Sequence, residues 1–460
     1  MIMPSHRRCC RESVRFSDLD GQTVALWGVG RETRSFARHL AARLSSARIA
    51  VIVLDAAPTE DVWPVIRATG AHVVMARDAP AALRSCDVLV RSPGVSLYRD
   101  EMVAVGRAGV IITTATSLWL AERGAQGVTA VTGTKGKSTT AALIHHLMRD
   151  AGLDAHLAGN IGIPALDLLD APTADPVVVE LSSYQIADLK SGPETVVVTN
   201  VSDEHLDWHS SGADYRRDKL RLLSFPQVRA AVLNGRDPAL TTSSCVRSTT
   251  DYFGVADGWD VNEAGIAFRG ELRIRMDQLP LRGLHNALNV CAALTAVTAS
   301  RNPLPALPAA VMSFSPLPHR LEVVYEENGI TWIDDSIATT AESAVAALKS
   351  FPGRLTILIG GGHDRGQDYA ELARVLAESN SILIALPVTG TRLARAARNA
   401  GVPAAHVVEV SDLAAAVSYA RRTAGPGSVI LLSPGAPSYN AYRDFEERGA
   451  HFAALARRAN

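Results

Sequence analysis

Three α/β domains along one chain, each built on a parallel sheet, are the architecture the sequence predicts. Short apolar runs alternate with helix-patterned segments almost throughout. Several runs, among them PVVVELSS and TVVVTN, are nearly continuous in Val and Leu, as strands covered on both faces require. The alternation breaks near Ala115, and again in the Pro-rich stretch from RNPLPALP to SPLPHR, which ends at Arg320. These breaks predict domains over 1–115, 116–316 and 317–460. The 460 residues suit two to four domains at ~150 residues each.

The first domain opens with TVALWGVG (Thr23–Gly30) and IAVIVLD (Ile49–Asp55), with a helix between, and continues through CDVLVRSPG and GVIITT. Residues 1–20 read as a loose tail: MIMPSHRRCCRESVRF is basic but lacks the apolar stretch of a secretory signal. The second domain runs from GVTAVTG (Gly127–Gly133) through AAVLNG to a helix over LRGLHNALNVCAALTAV (Leu281–Val297). In the third, GITWIDDS, RLTILIGGG, SILIALPV and SVILLSPG read as strands, followed by a final helix from about Phe445 to Ala456.

Bulk composition narrows the function classes. Lys+Arg (46) and Asp+Glu (47) nearly cancel, so nothing points to nucleic acid as a partner. The five cysteines, Cys9, Cys10, Cys86, Cys245 and Cys291, form no CxxC pair, which fits a reducing cytoplasm rather than a disulfide framework or zinc site. No apolar run reaches the ~18–20 residues of a membrane span.

VTGTKGKSTTAAL, from Val131 to Leu143, is the strongest local signal. Gly133, Thr134, Lys135, Gly136, Lys137, Ser138 and Thr139 form a glycine-bracketed loop between a strand end and a helix start. Glycines let consecutive N–H groups face an anion, and the helix N-terminus adds its partial positive charge. Lys137 is placed to reach the β/γ-phosphates of ATP, and a hydroxyl of Ser138 or Thr139 to meet Mg²⁺. The spacing between the glycines is two residues shorter than in the usual P-loop. GVG at Gly28–Gly30 is weaker: with Thr33 in place of the third glycine and Asp55 ending the next strand, it reads as a nucleotide-binding turn or as a plain structural turn. A phosphate site also needs carboxylate and imidazole help with Mg²⁺. Glu180 ends the strand in VVVELSSYQ. Asp203, Glu204, His205 and Asp207 cluster in TNVSDEHLDWH, each alone readable as a solvated surface residue.

These landmarks, with GNIG (Gly159–Gly162), YRRDK, GLHNALN, LPHR, DDSIATT, GGGHDRGQD and LLSPGAPSYNAYRDFEERG, occur in the order and spacing of the Mur ligases. From about Asp20 onward the chain resembles that family, specifically the MurD-like ligases that add glutamate to UDP-N-acetylmuramoyl-L-alanine. The resemblance implies a Rossmann-like N-terminal domain, a P-loop central ATPase domain and a Rossmann-like C-terminal domain that closes over the site. It implies a UDP-substrate site around Arg31, Glu32, Asp55, Ser92, Gly94 and Asn160. It places Asn289, Arg320 and Asp335 with the nucleotide. Two Mg²⁺ ions are implied, on Ser138, Glu180, His205 and a carbamylated Lys219, which makes Lys137, His205 and Lys219 the catalytic set. The implied chemistry is γ-phosphoryl transfer from ATP to a carboxylate, then attack of the glutamate amine on the acyl phosphate.

The expected glutamate pocket comprises Ile337, Thr339, Arg365, Ser438 and Phe445. It departs from the usual D-glutamate-adding pattern: Ile337 stands where that pattern has lysine, Arg365 replaces a second lysine, and SPGAPSYNAY replaces the SPACAS type. Arginine keeps the charge but changes the geometry offered to a carboxylate. The combination resembles the variant ligases that add L-glutamate, whose product a separate epimerase then inverts. The D-glutamate ligase is the alternative; a folylpolyglutamate-type ligase and a nucleotide-binding regulator are the other rivals. The resemblance further implies a monomer.

Overall fold

The computed structural model describes residues 13–58, 60, 62–202, 208–242, 249–281, 283–299, 307–364 and 366–458. The chain divides into two compact units. One runs to Leu279 and takes in His285–Phe314; the other holds Pro280–Leu284 and continues from Ser315.

The first unit contains two parallel sheets. Strands β1 (Thr23–Trp27), β2 (Arg48–Leu54), β3 (His72–Met75), β4 (Val88–Arg91) and β5 (Ile111–Thr113) lie in the order β3-β2-β1-β4-β5. All four pairings are parallel. The chain reverses its direction of growth between β1 and β4, the crevice where open α/β sheets take their ligands. The loops after those two strands meet there: a Cβ at Gly28 would lie 3.1 Å from Cβ of Ser92, and one at Gly30 3.1 Å from its Oγ.

The second sheet comprises β6 (Val128–Thr132), β7 (His156–Gly159), β8 (Val177–Glu180), β9 (Thr195–Val198), β10 (Ala230–Asn234) and β11 (Thr249–Phe253), in the order β11-β10-β9-β6-β8-β7, all parallel. Its central strands β6, β8 and β9 are fully buried Val-rich runs, as the sequence predicts. A small antiparallel sheet, β12 (Trp259–Val261), β13 (Gly265–Phe268) and β14 (Glu271–Arg275), follows. The sequence reading did not foresee it: its strands run three to five residues and only partly alternate.

Val24, Leu26, Leu118, Trp119, Leu166, Val179, Val196 and Leu233 belong to one continuous apolar core shared by both large sheets. Buried polar links add to it. Arg91 Nε donates to Asp188 Oδ2 (2.8 Å) and its Nη2 to the carbonyl of Tyr184 (2.6 Å), with both ionic side chains buried. A buried charge is tolerated when paired and hydrogen-bonded, and this pair fixes the two sheets together.

The second unit is a six-stranded sheet of β15 (Glu322–Glu327), β16 (Ile330–Asp334), β17 (Thr356–Gly360), β18 (Ser381–Ala385), β19 (Val407–Glu409) and β20 (Val429–Leu432), in the order β15-β16-β20-β17-β18-β19. Only the β15–β16 pair is antiparallel. Separate apolar clusters cover its two faces, one around Leu358, Leu372 and Leu383, the other around Trp332, Ile357 and Phe452. The final helix, Phe445–Arg457, starts where expected; the carboxylate of Asp444 caps it by accepting the Glu447 N–H. Among the described residues no helix is long and apolar enough to cross a membrane.

Candidate active site

In the first unit, β6 ends in the glycine loop and the helix Lys137–Asp150 begins directly after it, with Gly136 as N-cap at φ +83°. A side chain at Gly136 would be strained by that φ, and its Cβ would stand 2.3 Å from Oδ1 of Asn289. Asn289, which the resemblance places with the nucleotide, therefore lies against the loop. It is buried on the helix Leu284–Ala299 and donates to Asn286 (3.2 Å). Lys137 Nζ donates to the Thr134 carbonyl at 2.9 Å, holding its charge over the loop.

The segment after β9 holds the loop's shape, a role the sequence reading missed. Lys135 N–H donates to Oδ1 of Asn200 (2.9 Å), and Asn200 Nδ2 donates back to the Lys135 carbonyl (2.9 Å). Thr134 N–H donates to the Asn200 carbonyl (2.8 Å), and Thr134 Oγ1 lies 2.8 Å from the Tyr215 hydroxyl. The paired strand end TVVVTN was the available signal: β9 lies beside β6, so its exit must meet the loop.

Glu180 ends β8, the other neighbour of β6, paired with Val131. It is 1% exposed. Oε1 accepts from Asn160 Nδ2 (3.1 Å), while Oε2 has no hydrogen-bond partner among the described residues. Thr139 Oγ1, in the first turn of the loop helix, is likewise buried and unpartnered there. A buried carboxylate oxygen without a donor is costly unless a cation satisfies it. A carboxylate and a hydroxyl beside a phosphate loop form the all-oxygen donor set of Mg²⁺. The residues present therefore fit the expected ion. Ser138 is half-buried beside them. Lys219, only 2% exposed on the helix Gly212–Leu220, donates from Nζ to the Gly133 carbonyl at 2.7 Å, with Nζ 4.9 Å from the centre of the Tyr215 ring. Asp203, Glu204, His205 and Asp207 lie outside the described residues.

Of the expected UDP-substrate residues, Arg31 reaches across to the second sheet. Its guanidinium donates to the carbonyls of Gly159 (2.8 Å), Asn160 (2.8 Å) and Gly162 (3.1 Å) of GNIG. Glu32 is buried, accepting from Thr116 Oγ1 (2.9 Å) and Gln185 Nε2 (2.6 Å). Burial pushes its carboxyl above the usual range in spite of those two donors. Ser92 and Gly94 follow β4 at the crevice, Ser92 half-buried and Gly94 exposed. Asp55 ends beside β2 and is half exposed, paired with Arg99 (2.7 Å). Asn160 is exposed and anchored to Glu180, its N–H donating to the Glu180 carbonyl (3.0 Å).

In the second unit, Asp335, 5% exposed, leaves the end of β16. Ser433 Oγ donates to it (2.7 Å), as does the Leu321 N–H (3.3 Å). Burial lifts its carboxyl to about 7, against the lowering effect of Ser433 and the nearby Arg320 guanidinium. Arg320 Nε is buried without a partner among the described residues. Ile337 and Thr339 follow on the same loop, both half-buried. Arg448, which sequence reasoning missed, organises this end of the sheet from inside the final helix. It is 2% exposed and donates to Ser336 Oγ (2.9 Å), the Ser336 carbonyl (2.8 Å) and the Ala436 carbonyl (3.1 Å). Ser336 Oγ donates in turn to the Phe445 carbonyl (2.8 Å). Arg448 thus fastens the DSI loop, the SPGAPS loop and the helix start, bringing Ile337, Ser438 and Phe445 into one end of the unit. Ser438 is buried and caps the following turn through its carbonyl. Arg365 lies outside the described residues.

Residues 131–297 match the Mur ligase middle domain and residues 319–435 the Mur ligase glutamate ligase domain. The chain is 40% identical to a UDP-N-acetylmuramoyl-L-alanine–L-glutamate ligase of Xanthomonas oryzae pv. oryzae, over 96% of this chain and 97% of that one. A protein of the same name from Salinispora tropica is 39% identical over 96% and 99%. Among solved structures, the MurF ligase of Thermotoga maritima in complex with ADP shares the fold, with a TM-score of 0.58, 15% identity and coverage of 97% and 99%. Mycobacterium tuberculosis folylpolyglutamate synthase complexed with ADP reaches a TM-score of 0.57 at 16% identity, over 75% of this chain and 94% of that one. With both domain matches in order and such identity along nearly its whole length, the chain belongs to the Mur ligase family.

Proposed function

We propose that this ligase joins L-glutamate to UDP-N-acetylmuramoyl-L-alanine at the expense of ATP, in the synthesis of peptidoglycan precursors in the cytoplasm. The observation that carries the ATP chemistry is the convergence on one glycine loop of Lys137, the buried Lys219 and Glu180, whose Oε2 has no hydrogen-bond partner among the described residues. The name of the relatives at about 40% identity supports the acceptor and the L-enantiomer.

In this reading residues 1–115 bind the UDP-substrate, 116–316 bind ATP and 317–460 bind glutamate. The loop N–H groups and Lys137 cradle the β/γ-phosphates of ATP and orient the γ-phosphoryl toward the acceptor carboxylate. Ser138 or Thr139, Glu180, His205 and a carbamylated Lys219 hold Mg²⁺, two ions in all. When bound, those ions neutralise charge on the phosphoryl oxygens. The acceptor carboxylate gains the γ-phosphoryl as an acyl phosphate, and ADP leaves. The glutamate amine then attacks the acyl carbon, loses a proton and expels phosphate as the amide forms. Arg31, Glu32, Asp55, Ser92, Gly94 and Asn160 serve the acceptor. Asn289, Arg320 and Asp335 serve the nucleotide; Ile337, Thr339, Arg365, Ser438 and Phe445 serve glutamate. The protein works as a monomer, and an epimerase acts on its product.

A mass-resolved ligation assay with ATP, Mg²⁺, UDP-N-acetylmuramoyl-L-alanine and either glutamate enantiomer tests this. Product with L-glutamate alone is expected. Product with D-glutamate alone would overturn the stereochemical assignment, and product with neither would overturn the acceptor.

A further inference from the structure

His209 has no part in the chemistry above, yet the segments that carry it converge on this side chain. It is 1% exposed. Nδ1 lies 3.1 Å from Oδ2 of Asp218, and Nε2 lies 3.0 Å from Oγ of Ser183. A carboxylate only accepts, so Nδ1 carries the proton and donates; in the neutral ring Nε2 then accepts from the Ser183 hydroxyl. Asp218 immediately precedes Lys219 on its helix, and Ser183 stands three residues beyond Glu180. The His209 ring also meets Tyr215 edge-on at 5.2 Å, the residue whose hydroxyl contacts Thr134 of the glycine loop. One imidazole therefore meets the residue before Lys219, the turn that follows the Glu180 strand and the tyrosine that touches the phosphate loop.

The same cluster reaches the first sheet. Oδ2 of Asp218 accepts a second hydrogen bond, from the Tyr98 hydroxyl at 2.6 Å. Trp208 Nε1 donates to the Pro93 carbonyl (3.0 Å), and Ser96 Oγ donates to the Trp208 carbonyl (2.6 Å). Residues 93–98, which contain the expected substrate contact Gly94, are thus bonded to Trp208 and to Asp218, the residue before Lys219. Alone, either feature would be ordinary core packing. Together they give a rigid path from the acceptor loop to the lysine.

We propose that His209 is a positioning residue. Through Asp218 and Ser183 it fixes Lys219 and Glu180 against the phosphate loop, and through Tyr98 it links that arrangement to the acceptor-binding loop. This rests on the reading of Glu180 and Lys219 as cation-binding residues. Partners that orient a metal ligand typically change metal affinity by ~10–100-fold when removed.

The test uses the full chain and Mn²⁺ alone, titrated with the free ion followed by electron paramagnetic resonance. His209→Phe keeps the ring packing and removes both hydrogen bonds; His209→Asn restores a donor near Nδ1. His209→Phe should weaken Mn²⁺ binding about tenfold or more, and His209→Asn should recover most of it. A merely structural histidine would show no such recovery. Tyr98→Phe, at a half-buried position whose ring packing is kept, should raise KM for the acceptor several-fold with kcat little changed. Unchanged Mn²⁺ affinity in folded His209→Phe would overturn the positioning role. If that variant does not fold, His209→Asn binding Mn²⁺ as weakly as Glu180→Gln would overturn it instead. An unchanged KM in Tyr98→Phe would overturn the link to the acceptor loop. The titration needs neither acceptor nor glutamate. Wild-type protein that binds Mn²⁺ but forms no product would therefore sink the substrate assignment, while the variants still decide the role of His209.

Discussion

Lys219 Nζ donates to the carbonyl oxygen of Gly133 across 2.7 Å, joining the helix Gly212–Leu220 to the first glycine of the phosphate loop. A lysine there serves the loop only through its side-chain nitrogen. Lys219→Ala should lower kcat by a factor on the order of 10²–10³, the usual scale for one electrostatic stabiliser. If the nitrogen is carbamylated, wild-type activity should fall in CO₂-stripped buffer and return with bicarbonate. ADP release followed with and without bicarbonate checks this, and indifference to bicarbonate would sink the carbamate.

Gly136 permits no side chain, because its φ is +83° and a Cβ would lie 2.3 Å from Asn289 Oδ1. The left-handed backbone alone costs a non-glycine residue ~1–2 kcal/mol. Gly136→Ala should weaken ADP binding about tenfold or more by calorimetry, in line with that energy and the clash. Unchanged ADP affinity in folded Gly136→Ala would contradict both the backbone argument and the contact with Asn289.

Asp335 makes the second unit's stability depend on pH. Burial raises its carboxyl from the usual value near 3.8 to about 7. The folded state therefore binds a proton that the unfolded chain has released, and stability falls as pH rises from about 4 to about 7. Asp335→Asn should remove that slope and melt higher than wild type above pH 7. Thermal unfolding between pH 5 and 8 reads it; parallel curves for the two proteins would contradict the burial argument.

Arg448 holds three acceptors in the interior of the second unit, and burial lowers its guanidinium to about 10. Arg448→Met would leave two carbonyls and the Ser336 hydroxyl without their donor. It should destabilise the protein by about 3 kcal/mol, seen as a lower Tm. Arg448→Lys, lacking the planar fork, should recover little. A Tm within a degree or two of wild type would show that water replaces the donor.

Ile337 follows Asp335 and Ser336 on a loop fastened by Arg448. Restoring the common lysine with Ile337→Lys should raise KM for glutamate well above any change in KM for ATP. Equal changes in both would remove Ile337 from the specificity pocket.

Much of the candidate site was legible because it sits at strand ends. Gly133–Thr139 and Glu180 follow continuous apolar runs, so their positions at the edge of a buried sheet could be read directly. Arg448 and His209 were not legible in this way. Each is one polar residue in a helix or loop, and its meaning comes from partners 112 and 26 residues distant. The short antiparallel strands after β11 were missed for a related reason: three to five residues carry too little periodicity to separate strand from loop.

By itself the sequence determined the α/β class, the long apolar strands of the parallel sheets, the phosphate loop and the family, because these depend on local periodicity and on motifs in fixed order. Only the tertiary structure decided which buried polar groups meet. It put Arg31 on GNIG, Glu32 against Gln185 and Lys219 on Gly133. Such pairings bring together groups far apart in the chain, and the need to satisfy each buried charge and donor selects them during packing rather than any pattern along the sequence.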